Sequence, residues 1–217
     1  MTFFDLSHVV EHGMRTYPGL PGPVICDFLS REASRAAYAP GTEFQIGRID
    51  MVANTGTYID SPFHRYADGI DVAALPLEVL AGLETVVVRA PFERGRAIDA
   101  RVFEDLSLSG KAVLVQTGWS RHWQTDAYFD GHPFLTEDAA ELLRSGGARL
   151  VGIDSLNIDD TADTRRPVHS RLLAHEIPII EHMTGLEAVP EVGARLYAVP
   201  VKVAGFGSFP VRAFCAV

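Results

Sequence analysis

Three runs, Thr85-Val-Val-Val-Arg-Ala90, Ala112-Val-Leu-Val-Gln-Thr117 and Leu150-Val-Gly-Ile-Asp154, limit what this chain can fold into more than any other feature. Their apolar, largely β-branched side chains read as buried strands. Between the second and third, Thr136-Glu-Asp-Ala-Ala-Glu-Leu-Leu-Arg-Ser-Gly146 has helix signals at both ends: a threonine cap, acids in the first turn, arginine and glycine in the last. This strand, helix, strand succession selects an α/β domain. The same pattern predicts strands near Leu172-Leu-Ala174, over 177–181 and over 196–203, and helices over 99–106 and 71–80. Upstream, residues 3–10 read as a strand, 17–23 as a proline- and glycine-rich loop, and 44–53 as a strand with one buried face.

At 217 residues with 47% hydrophobic and 22% charged side chains, the chain is expected to form one domain over 1–217. The formal charge of −9 argues against binding nucleic acid or an anionic membrane. There is no apolar run of about 18 residues and no basic, apolar leader, so a cytoplasmic protein is expected. Cys26 and Cys215 lie too far apart in sequence for a thiolate metal motif or a disulfide framework, and both read as reduced core residues.

The chemistry is expected in Asn54-Thr-Gly-Thr-Tyr-Ile-Asp-Ser-Pro-Phe-His64, which crowds polar and turn-forming residues between apolar runs. Gly56 permits a tight turn, and Ser61-Pro62 reads as a cap followed by proline at the first helical position. Asp60 and His64 would then flank a helix start. A second polar cluster runs from Asp154 to Asp160, continues through Arg165-Arg-Pro-Val-His169, and reaches Glu181 at the end of an apolar strand. Arg165 and Arg166 could grip a carboxylate substrate, but pairing with nearby acids is the simpler reading. Tyr17 either overhangs a pocket or packs in its loop, and Trp119 lines a pocket or packs in a core or interface. His122 and His132 read as surface or packing residues. His182 follows Glu181 on a strand and points to the opposite face.

Taken together, these motifs resemble the cyclase family, which includes bacterial kynurenine formamidases and isatin hydrolases. The family signature is His-x-Gly-Thr-His-x-Asp-x-Pro-x-His, matched here by Asn54, Gly56, Thr57, Tyr58, Asp60, Pro62 and His64. The resemblance extends to Asp5-Leu-Ser7, Gly13-Met14, Tyr17-Pro-Gly19, Gly152-Ile-Asp154, His169, Glu181 and Pro210-Val-Arg212, nearly the whole chain. It implies a swivelling β/β/α fold with mixed sheets around a barrel-like core, assembled as a homodimer or homotetramer. In formamidases of this family, the two earlier histidines and the aspartate bind one metal. The aspartate, a later histidine and a glutamate bind a second, and the last histidine is the general acid/base.

This chain keeps Asp60, His64, His169 and Glu181, but has Asn54 and Tyr58 where the two earlier histidines stand. An amide oxygen is a weak zinc ligand, and a phenol must lose its proton to be a good one. The expectation is therefore one divalent metal, zinc or manganese, on Asp60, His169 and Glu181. The expected activity is hydrolysis of an amide or cyclic amide of a small molecule. Metal-activated water would attack, His64 would relay protons, and Tyr58 and Asn54 would donate to substrate or oxyanion. Two alternatives are a metal-independent cyclase, lyase or isomerase using His64 and Tyr58, and a non-catalytic small-molecule binding protein.

Overall fold

The β-branched runs form the middle of one curled sheet. The computed structural model describes all 217 residues. Its strands are β1 (Phe3–Asp5), β2 (Val24–Leu29), β3 (Ile46–Asp50), β4 (Tyr58–Asp60), β5 (Ala81–Arg89), β6 (Ala97–Ile98), β7 (Ala112–Gln116), β8 (Phe134–Leu135), β9 (Leu150–Ile153), β10 (Ile179–Glu181), β11 (Ala194–Tyr197), β12 (Ser208–Pro210) and β13 (Phe214–Ala216). The helices are α1 (Arg31–Ser34), α2 (Leu77–Leu80), α3 (Glu137–Ser145) and α4 (Pro167–Leu173). Nine strands join in the order β1-β13-β11-β5-β7-β9-β10-β4-β12, giving a mixed α/β half-barrel.

Strands β5, β7, β9 and β10 pair in parallel, with antiparallel strands on either side. A parallel sheet is covered on both faces, so its strands read as continuous apolar runs. Val86, Val88, Val113, Val115, Val151 and Ile153 pack on one face with Ala139, Leu143, Val168 and Leu172 from α3 and α4. The intervening Val87, Leu114 and Leu150 pack on the other with Leu83, Ile180 and Leu196. Alternate residues of one strand thus belong to different cores.

Several expected elements form differently. Leu172 and Leu173 end α4 rather than forming a strand. Pro167 starts that helix, and the N–H groups of Val168 and His169 donate to the Asp159 carboxylate at 2.7 and 3.0 Å, a cap supplied from well upstream. The 99–106 segment holds only a short 3-10 turn, Ala100–Val102, capped by Asp99. Strand β11 ends at Tyr197, short of the expected Val203. The alternation over 44–53 marks no buried face: β3 is exposed throughout and pairs only with β2 as a two-stranded ribbon. Cys26 on that ribbon is exposed, contrary to the core reading; Cys215 is buried, and both are free. No helix is long and apolar enough to cross a membrane.

The β10-β4-β12 end of the sheet positions the site. In this ladder Glu181 stands opposite Tyr58, and Ser208 opposite Asp60. Tyr58 and Asp60, two residues apart on one strand, project to the same face.

Candidate active site

Asp60 is fully buried at the end of β4, and the following chain turns into a 3-10 turn, Pro62–His64, rather than an α-helix. Ser61 has the extended backbone of a cap, but its hydroxyl donates to the Gly207 carbonyl instead of capping. The turn brings His64 back over Asp60, with Nδ1 3.8 Å from Asp60 Oδ1 and the ring partly open to solvent. Ser208 links the two. Its hydroxyl donates to Asp60 Oδ1 and lies 2.9 Å from His64 Nδ1. With its proton on Asp60, Ser208 Oγ can only accept from His64, which places the imidazole proton on Nδ1 and leaves the Nε2 lone pair free. Gly207 makes this approach possible, because a Cβ there would sit 2.6 Å from the His64 backbone nitrogen.

His169 enters from the first turn of α4. Its Nδ1 lies 2.6 Å from Asp159 Oδ2, so the acid that caps the helix also fixes the ring. The other nitrogen, Nε2, lies 3.6 Å from both Asp60 Oδ2 and Glu181 Oε1. Glu181 Oε1 accepts from the Ile158 N–H at 2.7 Å, and Oε2 accepts from the Tyr58 hydroxyl at 2.5 Å and the Asn157 amide at 3.5 Å.

The electrostatics follow from burying two carboxylates beside one imidazole. Burial favours a neutral His169, but the charge of Glu181, the bond to Asp159 and the charge of Asp60 outweigh it and hold its pKa up at about 10. Burial, opposed by His169 and reinforced by Asp60, pushes Glu181 up to about 7. For Asp60, burial acts upward, but the nearby charges of His64 and His169 and the hydrogen bond from Ser208 prevail and hold the carboxyl below its ordinary value. Burial and the charges of Glu181 and Asp60 hold the Tyr58 phenol well above its ordinary pKa. It is a donor, not a phenolate.

These residues fit a divalent cation. Asp60 Oδ2 is buried without any hydrogen-bond partner, although a buried carboxylate oxygen ordinarily has one. It faces an imidazole nitrogen whose ring is oriented by a carboxylate, the arrangement typical of metal-bound histidine. Asp60, His64 and His169 each bring one donor atom within 4.8 Å of the others, and Glu181 joins through its contact with His169. His64 Nδ1 is already engaged by Ser208, which leaves Asp60, His169 and Glu181 as the better donor set.

Tyr17, Asn54, Tyr58, His64, His169 and Glu181 all line one cavity of about 430 Å³. Trp119 does not. It packs in a buried cluster with Tyr128 and Leu156, and its indole N–H donates to the Tyr128 carbonyl at 3.1 Å. An indole whose polar edge is satisfied internally fills core rather than lining a pocket. His182 is fully buried, with Nδ1 3.1 Å from the Tyr128 hydroxyl, away from the donor set. His132 is buried as well, which makes it a packing residue.

The Cyclase family model matches residues 4–160. The chain belongs to the Cyclase family. Kynurenine formamidase of Bacillus anthracis is 30% identical over 97% of this chain and 95% of its own length. A solved structure described as a potential metal-dependent hydrolase with cyclase activity superposes with a TM-score of 0.80 at 27% identity, covering 99% of this chain and 96% of its own. Isatin hydrolase A of Ralstonia solanacearum shares the fold, with a TM-score of 0.85 at 19% identity over 99% of this chain and 91% of its own. This member of the Cyclase family is accordingly an enzyme.

Three residues of the site escape sequence reasoning as individual members: Ser208, Asp159 and Asn157. Ser208 lies 144 residues from His64, and only Gly207 hints that a neighbour must pass close. Asp159 sits in an acid-rich loop, where most carboxylates are solvated. The signal that singles it out is the helix start at Pro167, whose first turn lacks a capping side chain at Arg166.

Proposed function

We propose that this chain hydrolyses the amide bond of a small molecule at the cavity lined by His64, His169 and Glu181, with the buried Asp60 beside them. The observation that carries the reading is the partnerless Asp60 Oδ2 facing His169 Nε2 at 3.6 Å, with an imidazole, His64, beside it. The kinship with kynurenine formamidase and with the structure described as a potential metal-dependent hydrolase supports it. Asp60, His169 and Glu181 would hold one divalent ion, zinc or manganese. When bound, such an ion polarises a carbonyl and lowers the pKa of water toward about 7.

The chain's own residues supply proton transfer and orientation. Amide hydrolysis removes a proton from water and delivers one to the leaving nitrogen. His64 Nε2 has the free lone pair for the first step, and the imidazolium it becomes has the proton for the second. Ser208 holds the ring to Asp60 throughout, so the base keeps its direction while its charge changes. The Asn54 amide, 3.4 Å from Ser208 Oγ and lining the cavity, is a donor for the developing oxyanion or the substrate. Tyr58 is spent on Glu181 and acts as a positioning residue.

The exposed ribbon supports assembly as a homodimer or larger homo-oligomer. Val24, Phe28, Ile46 and Ile49 are all exposed on β2 and β3, and an isolated two-stranded ribbon is marginal in water. The free Cys26 and Cys215 suit a reducing, cytoplasmic setting.

Substituting Asp60 or Glu181 by alanine is expected to remove both bound metal and turnover of an aryl formamide. Full activity in a metal-free preparation would instead favour the metal-independent alternative.

A further inference from the structure

The cavity has a basic side that amide hydrolysis by itself does not require. Arg65 and Arg166 both line it, together with Tyr17, Asn54, His169 and Glu181. The neighbouring Arg165, by contrast, is neutralised. Arg165 closes on Asp163 with two bonds, Nε to Oδ1 at 3.0 Å and Nη2 to Oδ2 at 2.7 Å. The adjacent Arg166 behaves differently. Its Nη1 donates to the backbone carbonyls of Asp160 and Asp163 at 2.8 and 3.0 Å, and no carboxylate approaches its guanidinium closely enough to pair. Its Nε–H and Nη2–H make no hydrogen bond within the chain, and the residue lines the cavity. Arg65 also lacks a carboxylate partner; its Nε donates only to Ser170 Oγ at 3.2 Å.

The backbone at Arg166 reinforces this reading. It is left-handed, φ 51° and ψ 61°, immediately before Pro167. Few side-chain-bearing residues adopt that conformation, and the following proline restricts it further. Strained residues of this kind persist where the surroundings fix them and concentrate at binding sites. The two carbonyl bonds to Nη1 are the fixing contacts, and they immobilise a half-satisfied guanidinium in the wall of the cavity. A planar fork with two free donor groups matches a carboxylate.

We propose that the substrate carries a carboxylate in addition to its scissile amide, and that Arg166, flanked by Arg65, binds that carboxylate. This rests on the cavity being the hydrolytic site. The guanidiniums attract an anion to a part of the cavity wall other than the metal-donor set, so a substrate charged at one end enters in one orientation. Pairing ordered in advance of binding is also the economical arrangement, since the arginine fork loses little freedom on contact.

The test compares 2-formamidobenzoate with its neutral isostere 2-formamidobenzamide. The wild-type kcat/KM is expected to favour the carboxylate by at least about tenfold, carried by KM, as a charge-assisted forked pair provides. In Arg166→Gln the ratio between the two substrates falls toward one, whatever the change in absolute rate, and Arg166→Lys recovers part of it. A wild-type ratio of one or less, or a ratio unchanged in Arg166→Gln, overturns the proposal. If neither compound is turned over, the hydrolase reading fails by itself, and calorimetry with benzoate and benzamide decides the anion site: benzoate binding that is lost in Arg166→Gln supports it, and its absence from the wild type overturns it.

Discussion

The Tyr58 hydroxyl donates to Glu181 Oε2 at 2.5 Å, directly across the β4–β10 ladder. The phenol is fully buried between two carboxylates, which keep it protonated. It therefore satisfies a carboxylate oxygen at the position where the family signature has a metal-binding histidine. Replacing Asn54 and Tyr58 together by histidine should raise bound zinc from one to two per chain by elemental analysis. Two ions in the wild type, or one in the double variant, would contradict this account of Tyr58.

Asp159 serves two structures at once. It caps the first turn of α4 and holds His169 Nδ1 at 2.6 Å. Asp159→Asn should weaken zinc binding by about 10- to 100-fold, as loss of a carboxylate behind a metal-binding histidine does. It should also cost about 1 kcal/mol of stability through the weakened cap. Chelator competition reads the first effect and thermal melting the second. Melting that changes while zinc affinity does not would leave Asp159 as a cap alone.

How far these features can be read from sequence depends on the range of the contacts. Val86–Val88 and Val113–Val115 announce buried parallel strands because burial on both faces leaves no polar residue to break the run. The ends of α3 are visible because its signals are local. Asp60, His64, His169 and Glu181 stand out as acids and imidazoles at the ends of elements. By contrast, the end of α4 at Leu172 and Leu173 reads as a strand because the helix's cap comes from Asp159, and the alternation in β3 suggests a buried face that this chain does not supply. The choice between Arg165 and Arg166 is equally invisible: both follow the same acids, but only Arg165 pairs with one. Trp119 sits at a strand's end beside a glycine, which suits a pocket or a core equally well; the carbonyl of Tyr128 decides for the core.

Ser208 is expected to act through His64. Ser208→Ala should lower kcat for an aryl formamide by about 10- to 100-fold with little change in KM, because a misdirected base costs rate rather than binding. It should also alter the acidic limb of the pH–rate profile, which a purely structural residue would not. Equal losses in kcat and in thermal stability, with an unchanged profile, would count against a role in positioning His64.

Acid stability provides a check remote from catalysis. The His8 ring stacks on Trp123 with centroids 4.0 Å apart, and burial lowers its pKa from 6.5 to about 4. Burial lowers His182 further, to about 3. Between pH 6.5 and these values the unfolded chain binds protons that the folded chain does not, so stability is retained above pH 6.5 and lost as the pH falls through this window. His8→Phe keeps the stack and removes the His8 titration. Relative to the variant, the wild type should lose up to about 3 kcal/mol between pH 7 and pH 4 in urea unfolding. Parallel stability curves would show that His8 is not buried as a neutral imidazole.

The most direct test of the account is to strip the protein of metal and follow aryl formamide hydrolysis as zinc or manganese is added. The prediction is negligible turnover in the stripped protein and a rate that rises linearly to a plateau at one equivalent of metal per chain. A stripped protein as active as the loaded one would contradict it.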